Sequence, residues 1–248
     1  IDYNYLTITN LNLNAINAKF DKSVIQTEIE RFSFEERSGF KLNNLSTQAF
    51  LSDSSVIINN LLLTTSYSTI RNNTEFHYSS QELLKKEPGE SKFKIQFKNS
   101  VISPRDIHFF QPELKQPGIL SDTSNKINIY GKIEGKIDSF EVDTLFTSIN
   151  NSFINVHGRV NEITNTADIS LDLTIDTLQT TKNDVNFLMD DSLKSPLAEF
   201  PDTIKLKGKF NGSTQAFNSE LNILSSSGNA ELKAELLEGT GLEKRDYK

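Results

Sequence analysis

The feature that most narrows the fold is a strict two-residue alternation of apolar and polar side chains. In Lys126–Ile137 the odd positions are Ile127, Ile129, Gly131, Ile133, Gly135 and Ile137. The even positions are Lys126, Asn128, Tyr130, Lys132, Glu134 and Lys136. Asp168–Asp176 repeats the scheme with Ile169, Leu171, Leu173 and Ile175. Lys205–Asn211 does so with Leu206, Gly208 and Phe210, and Lys92–Lys98 with Phe93, Ile95 and Phe97. Side chains along a strand point alternately to opposite faces, so each segment has one apolar and one wet face. That pattern belongs to antiparallel sheets, because a parallel sheet covered on both sides reads as continuous apolar runs.

Composition agrees with strands. The chain has 23 Ile, 27 Leu and 17 Phe but only 8 Ala, which disfavours helices. Asn, Ser and Thr together make up 29% of the chain and supply frequent turns. Turn clusters are expected at Asn43-Asn44, Ser52–Ser55, Asn59-Asn60, Asn72-Asn73, Asn150-Asn151 and Ser225–Asn229. At about 12–15 residues per strand and turn, the expectation is roughly 16–20 strands, a sheet roughly 75–95 Å across.

Three short helices should interrupt the strands. Ser80–Lys86 is stopped by Pro88-Gly89. The second opens at Ser103-Pro104-Arg105-Asp106, with a hydroxyl N-cap and Pro at the first helical position. The third opens at Thr181-Lys182-Asn183-Asp184 with the same hydroxyl-x-x-acid signal. The last two helices belong to an internal repeat. Asp106-Ile107-His108-Phe109 aligns with Asp184-Val185-Asn186-Phe187, and Ile127, Gly131, Gly135 and Phe140 align with Ile204, Gly208, Gly212 and Phe217. The copies cover approximately 93–163 and 171–237 of one continuous segment, 1–248. Residues 238–248 form a polar end that could begin a truncated next strand. Such tandem units build a modular β architecture.

Charge and residue usage exclude several function classes. A formal net charge of −7, with no basic run beyond Lys85-Lys86, argues against nucleic acid as a partner. Zero Cys removes disulfides and thiolate metal sites. No apolar run is long enough to span a bilayer, and no signal peptide is visible, so a soluble piece of a longer protein is expected. His77, His108 and His157 share no ligand spacing and read as surface or cap residues. Asp190-Asp191 reads as a solvated loop before Pro196. Gly131-x-x-x-Gly135 and Gly208-x-x-x-Gly212 lie in strand patterns and read as bends where a sheet curves. No nucleophile elbow or cofactor motif is present, so neither an enzyme nor a cofactor is expected.

What remains is an apolar surface too large for three short helices to cover. The expected lining is Phe93, Ile95, Phe97, Ile127, Ile129, Ile133, Ile137, Ile169, Leu171, Leu173, Ile175, Leu206 and Phe210, with no metal or catalytic group among them. Either the sheet folds on itself around a dry core, or this face stays open and binds something apolar. The segment Ser38-Gly39-Phe40-Lys41-Leu42-Asn43-Asn44-Leu45-Ser46, followed by Ile57–Leu63 and Thr65-x-x-Ser68, resembles the TamB branch of the AsmA-like proteins. The strand opening Tyr3–Leu13 and the strands from Ile127 and Ile204 are similar to that family's repeats.

The resemblance implies a periplasmic segment of an inner-membrane-anchored envelope protein. It also implies a mostly β fold, an elongated antiparallel sheet curled into a U-shaped groove (β-taco) or a flattened open barrel, with short marginal helices. The implied partners are phospholipid acyl chains and, through a region outside this chain, an outer-membrane barrel of the BamA/TamA type. Lipid transfer between the membranes is the function expected first. A scaffold for outer-membrane protein assembly and secretion is the alternative, and a structural β-repeat module with a dry core is a third.

Overall fold

The chain, here as a computed structural model, forms one antiparallel sheet of 13 strands in sequence order. The structure describes residues 5–112, 120–165, 169–188, 200–213 and 215–237. The strands are β1 (Ile8–Asp21), β2 (Val24–Glu36), β3 (Lys41–Leu51), β4 (Ser55–Thr65), β5 (Thr69–His77), β6 (Lys92–Ile102) and β7 (Ile127–Lys136). They continue as β8 (Phe140–Ile149), β9 (Ser152–Asn161), β10 (Ser170–Thr181), β11 (Thr203–Ser213), β12 (Phe217–Ser225) and β13 (Gly228–Leu236). Each strand pairs with its sequence neighbours, and β1 does not meet β13, so the sheet is open and not a barrel. No helix among the described residues is long and apolar enough to cross a membrane.

Among the described residues there are thirteen strands where 16–20 were expected of the chain, and the reason within them is asparagine. Asn43-Asn44, Asn59-Asn60 and Asn72-Asn73 lie inside β3, β4 and β5 instead of between strands. Asn10, Asn17, Asn60 and Asn99 adopt left-handed backbone with φ of 53°, 54°, 53° and 42°. Each sits where the pairing register slips, between Thr9 and Asn12, Ile16 and Lys19, Ile58 and Leu61, and Phe97 and Ser100. These are β-bulges, and Asn tolerates the left-handed region that they need. A bulge resets the alternation within one long strand, so a strand of 14 residues mimics two short ones. The clusters at Ser52–Ser55, Asn150-Asn151 and Ser225–Asn229 do form turns. With 13 strands, the sheet spans about 58 Å across its strands before twist.

The short helices form where the caps place them. α1 (Gln81–Lys86) is capped by the Ser80 hydroxyl, which accepts from Leu83 N–H at 3.1 Å, and a 3-10 turn at Pro88–Glu90 follows. α2 (Pro104–Phe110) starts at Ser103, and α3 (Lys182–Leu188) after Thr181. α2 and α3 occupy equivalent places. One follows β6 and the other β10, so each repeat contains four strands and one helix.

The glycines of the alternating strands permit a close approach. Gly131 and Gly135 have φ of 152° and 151°, and a Cβ on Gly131 would meet Thr144 O at 2.1 Å. Gly135 lies between Phe93 of β6 and Phe140 of β8, whose rings meet edge to face at 5.5 Å across it. Strands two apart are about 9.6 Å from each other, so the two rings lean together over the glycine. Gly131→Val should therefore destabilise the sheet by about 2–3 kcal/mol. Gly228→Ala, at the β12–β13 turn where a Cβ would meet nothing within 4 Å, should cost less. Urea unfolding of both variants measures the difference.

Candidate functional site

Register alone divides the sheet into two faces. One row of directly opposed residues runs Phe76, Phe93, Gly135, Phe140, Val160, Leu171, Gly212, Phe217, Leu236 from β5 to β13. The next runs Thr74, Ile95, Ile133, Val142, Gly158, Leu173, Phe210, Ser219, Ala234. A third contains Phe97, Gly131, Leu145, Val156, Ile175, Gly208, Leu221 and Leu232. A fourth contains Ile129, Thr147, Ile154, Leu178, Leu206, Ile223 and Ala230. Opposed residues of an antiparallel pair share a face, so these rows form one continuous surface.

Eleven of the thirteen expected lining residues fall within strands on that surface. Ile127 pairs with Ile149 at its margin. Ile137 lies one residue beyond β7 and Ile169 one before β10, at the strand ends. All thirteen are half-buried. Sequence reasoning missed β8 and β9, which contribute Phe140, Val142, Leu145, Val156 and Val160. In β8 the register slips between Val142 and Leu145, which breaks the alternation. In β9 the alternation Ile154, Val156, Gly158, Val160 is clean, but Phe153 on the other face obscures it.

No charged residue of β7–β13 lies on this surface; Lys, Arg, Asp and Glu all project from the opposite face. There several of them form ion pairs. Lys132 lies 2.9 Å from Glu134 and 3.5 Å from Asp143, and its hydrogen bond to Glu134 holds its ammonium above the usual lysine range. Arg159 donates to Glu141, which raises its pKa in the same way. His157 Nδ1 meets Asp176 at 2.9 Å. His77 ends β5, whereas His108, expected at the surface or in a cap, is buried in α2 with no partner for Nε2. Asp190-Asp191 and 238–248 lie outside the described residues. Among the described residues no three His, Asp or Glu side chains converge to hold a metal.

Among the described residues no second layer covers the apolar surface. The buried apolar side chains among them are few: Phe40, Leu42, Ala49, Pro104, Val142, Ile149 and Leu236. Cover comes from the two repeat helices at one rim. Phe109 and Phe110 of α2 reach Phe40 in the β2–β3 turn, with ring centroids 5.6 and 5.0 Å away. Phe40 in turn meets Phe34 at 6.0 Å. α3 sets Val185 against Ile127, Ile149, Ile154 and Leu178, around an apolar recess of about 410 Å³.

Both helices are anchored by their first-turn acid. Asp106 accepts from the hydroxyls of Thr65, at 2.6 Å, and Ser68, in the turn two strands back. Asp184 accepts from Ser152 at 2.6 Å, at the start of the adjacent strand β9. The acids that the sequence suggested as helix-capping groups are thus latches to a neighbouring hairpin. No family model, curated protein or solved structure matches the chain. Hydrogen bonds to a charged group contribute about 1.5–3 kcal/mol each. Asp106→Ala should therefore speed amide exchange in α2 at least tenfold and leave α3 unchanged, and Asp184→Ala should do the reverse. Hydrogen exchange with mass spectrometry resolves the two.

Proposed function

We propose that the apolar face is a groove for lipid acyl chains. On this reading the chain is a periplasmic segment of a TamB/AsmA-like envelope protein that carries phospholipid between the inner and outer membranes. The observation that supports it best is a charge-free face over seven strands with no protein layer against it among the described residues. Leaving Phe, Ile, Leu and Val in water over such an area is costly, at about 25 cal/mol per Å², and an apolar occupant removes that cost.

The energetics of the cargo fit. An acyl chain crossing water exposes each CH₂ at about 0.8 kcal/mol, on the order of 12 kcal/mol for a sixteen-carbon chain. A trough that keeps the chain covered while the headgroup stays in solvent lowers that barrier. Transfer of this kind needs no bond chemistry. It needs length, continuity and an open seam, and the rows from Phe76 to Leu236 provide the continuity. A BamA/TamA-type barrel would be met by a part of the parent protein other than this chain.

The test places a charge in mid-groove. Leu171, opposite Val160 and Gly212, and Ile133, opposite Ile95, are the positions of choice. In a groove open to water, a carboxylate can remain hydrated when lipid is absent, so Leu171→Glu and Ile133→Asp should shift melting little. Among acyl chains an unpaired carboxylate costs several kcal/mol, so both variants should lose co-purifying phospholipid, read by mass spectrometry of organic extracts. Outright unfolding of both would mean that the face is a dry protein core. Unchanged folding with unchanged lipid would remove the groove and leave the assembly-scaffold reading.

A further inference from the structure

The two repeats share a latch but differ in what surrounds it. α2 and α3 are each held by a first-turn acid. Beside Asp106, α2 presents Arg105, whose guanidinium carbon lies 4.8 Å from the centre of the Tyr67 ring. Lys126, just before β7, reaches back to the same β4–β5 turn. Its ammonium donates to the Tyr67 carbonyl at 2.7 Å and lies 5.9 Å from the ring centre. The turn is itself fixed, since the N–H groups of Tyr67 and Ser68 donate to the Thr65 hydroxyl at 3.1 and 2.8 Å. That hydroxyl in turn donates to Asp106. The latch therefore sets two cations around one exposed aromatic ring.

The fold does not require these groups. In the second repeat the positions that align with Arg105 and Lys126 are Asn183 and Thr203. The β8–β9 turn has Asn150-Asn151 where the β4–β5 turn carries Tyr67, and α3 forms all the same. Nor are the cations neutralised by their surroundings. Asp106 is buried against Thr65 and Ser68, and Asp122 accepts from Ser124 at 2.8 Å. Among the described residues no carboxylate meets Arg105 or Lys126 in an ion pair.

We propose that Arg105 and Lys126 hold the phosphate of a phospholipid headgroup whose acyl chains lie on the apolar face. The proposal rests on the groove reading and adds to it a fixed place for the polar end. Lys126 directly precedes Ile127, the marginal residue of that face opposite Ile149. At the same rim α2 brings Phe109 and Phe110 to Phe40. Cations at the border of an apolar surface match an amphiphile with an anionic head. A guanidinium offers paired N–H donors to two phosphate oxygens, and the lysine adds a point charge. Both side chains are exposed, so a phosphate held by them keeps its remaining oxygens in water while the chains are covered.

The test is calorimetric titration of the full chain with three probes. They are dihexanoyl phosphatidylglycerol, dihexanoylglycerol, which has the same chains without phosphate, and inorganic phosphate. Phosphatidylglycerol should bind tightest. Arg105→Gln and Lys126→Gln should each weaken it at least tenfold, since a charge-assisted hydrogen bond is lost, and should leave dihexanoylglycerol unchanged. Arg105→Lys should recover part of the loss. Ile129→Glu, on the apolar face beside Ile127, should weaken both lipids and leave inorganic phosphate unchanged. Phosphatidylglycerol binding that neither Gln variant moves overturns the proposal and leaves the groove standing. Inorganic phosphate bound as tightly as the lipid also overturns it, because the site then takes free phosphate. Failure of both lipids to bind, or binding of both unmoved by Ile129→Glu, removes the groove reading and the headgroup site with it. Should the Gln variants fail to fold by circular dichroism, the Arg105 side-chain Nε–H resonance of the wild type decides. It should shift with phosphatidylglycerol and not with dihexanoylglycerol, and any other result overturns the proposal.

Discussion

The structure depends on nearest-neighbour strand pairing. Every inner strand takes its backbone hydrogen bonds from the strand before it and the strand after it, so the ladder closes in sequence order with no long crossover. Because the backbone is satisfied within the layer, a second layer is not needed for hydrogen bonding. One face can therefore be left for something other than protein. Cross-strand side-chain pairs then carry the stability that a dry core would otherwise supply, as in Phe93 against Phe140 over Gly135 and Phe210 stacked on Phe217 at 5.4 Å. The charged face contributes local order, since exposed pairs such as Lys136 with Glu90 at 2.7 Å are individually weak.

Shape comes from the irregularities. A uniform ladder of 13 flat strands would be a poor trough and an aggregation hazard at both edges. Left-handed asparagines break the ladder at chosen points, and glycines on the apolar face let backbone and bulky neighbours approach. Their placement is coordinated. Gly135 lies beneath two phenylalanines, Gly212 opposite Phe217, and Gly158 between Val142 and Leu173 in one row. Large side chains lie beside the space that each glycine leaves, so the apolar face remains continuous across the glycines.

Most of the fold was legible, because alternation is a direct readout of a half-covered sheet. The face of Ile95, Ile133, Leu173 and Phe210 follows from parity alone. Bulges defeated the count of strands, since Asn59-Asn60 carries the same composition whether it turns the chain or kinks a strand. They also hid β8, where one extra residue moves Leu145 out of phase with Val142. The repeat was legible in Ser103–Phe109 and Thr181–Phe187, but the purpose of its acids was not. A hydroxyl three residues before an acid is a capping signal in sequence, and only the position of Thr65, Ser68 and Ser152 shows where Asp106 and Asp184 actually bond. The burial of His108 was equally out of reach, because it depends on how α2 lies against the rim.

Those latches matter for a protein built this way. In a stack where each strand touches only its neighbours, stability is a sum of local interfaces and cooperativity is limited. A contact that skips a strand changes this. Asp106 ties the segment after β6 to the β4–β5 turn, and Asp184 ties the segment after β10 to the start of β9. The first couples β6 to β4, which the ladder does not pair directly, and the second reinforces the β9–β10 pair. They do so at one rim, where α2 and α3 also bring aromatic and aliphatic side chains over the apolar face. Among the described residues the opposite rim has only α1 and the 3-10 turn between β5 and β6 as helical elements. Helical cover and the contacts of the first-turn acids are thus concentrated at one rim of the sheet.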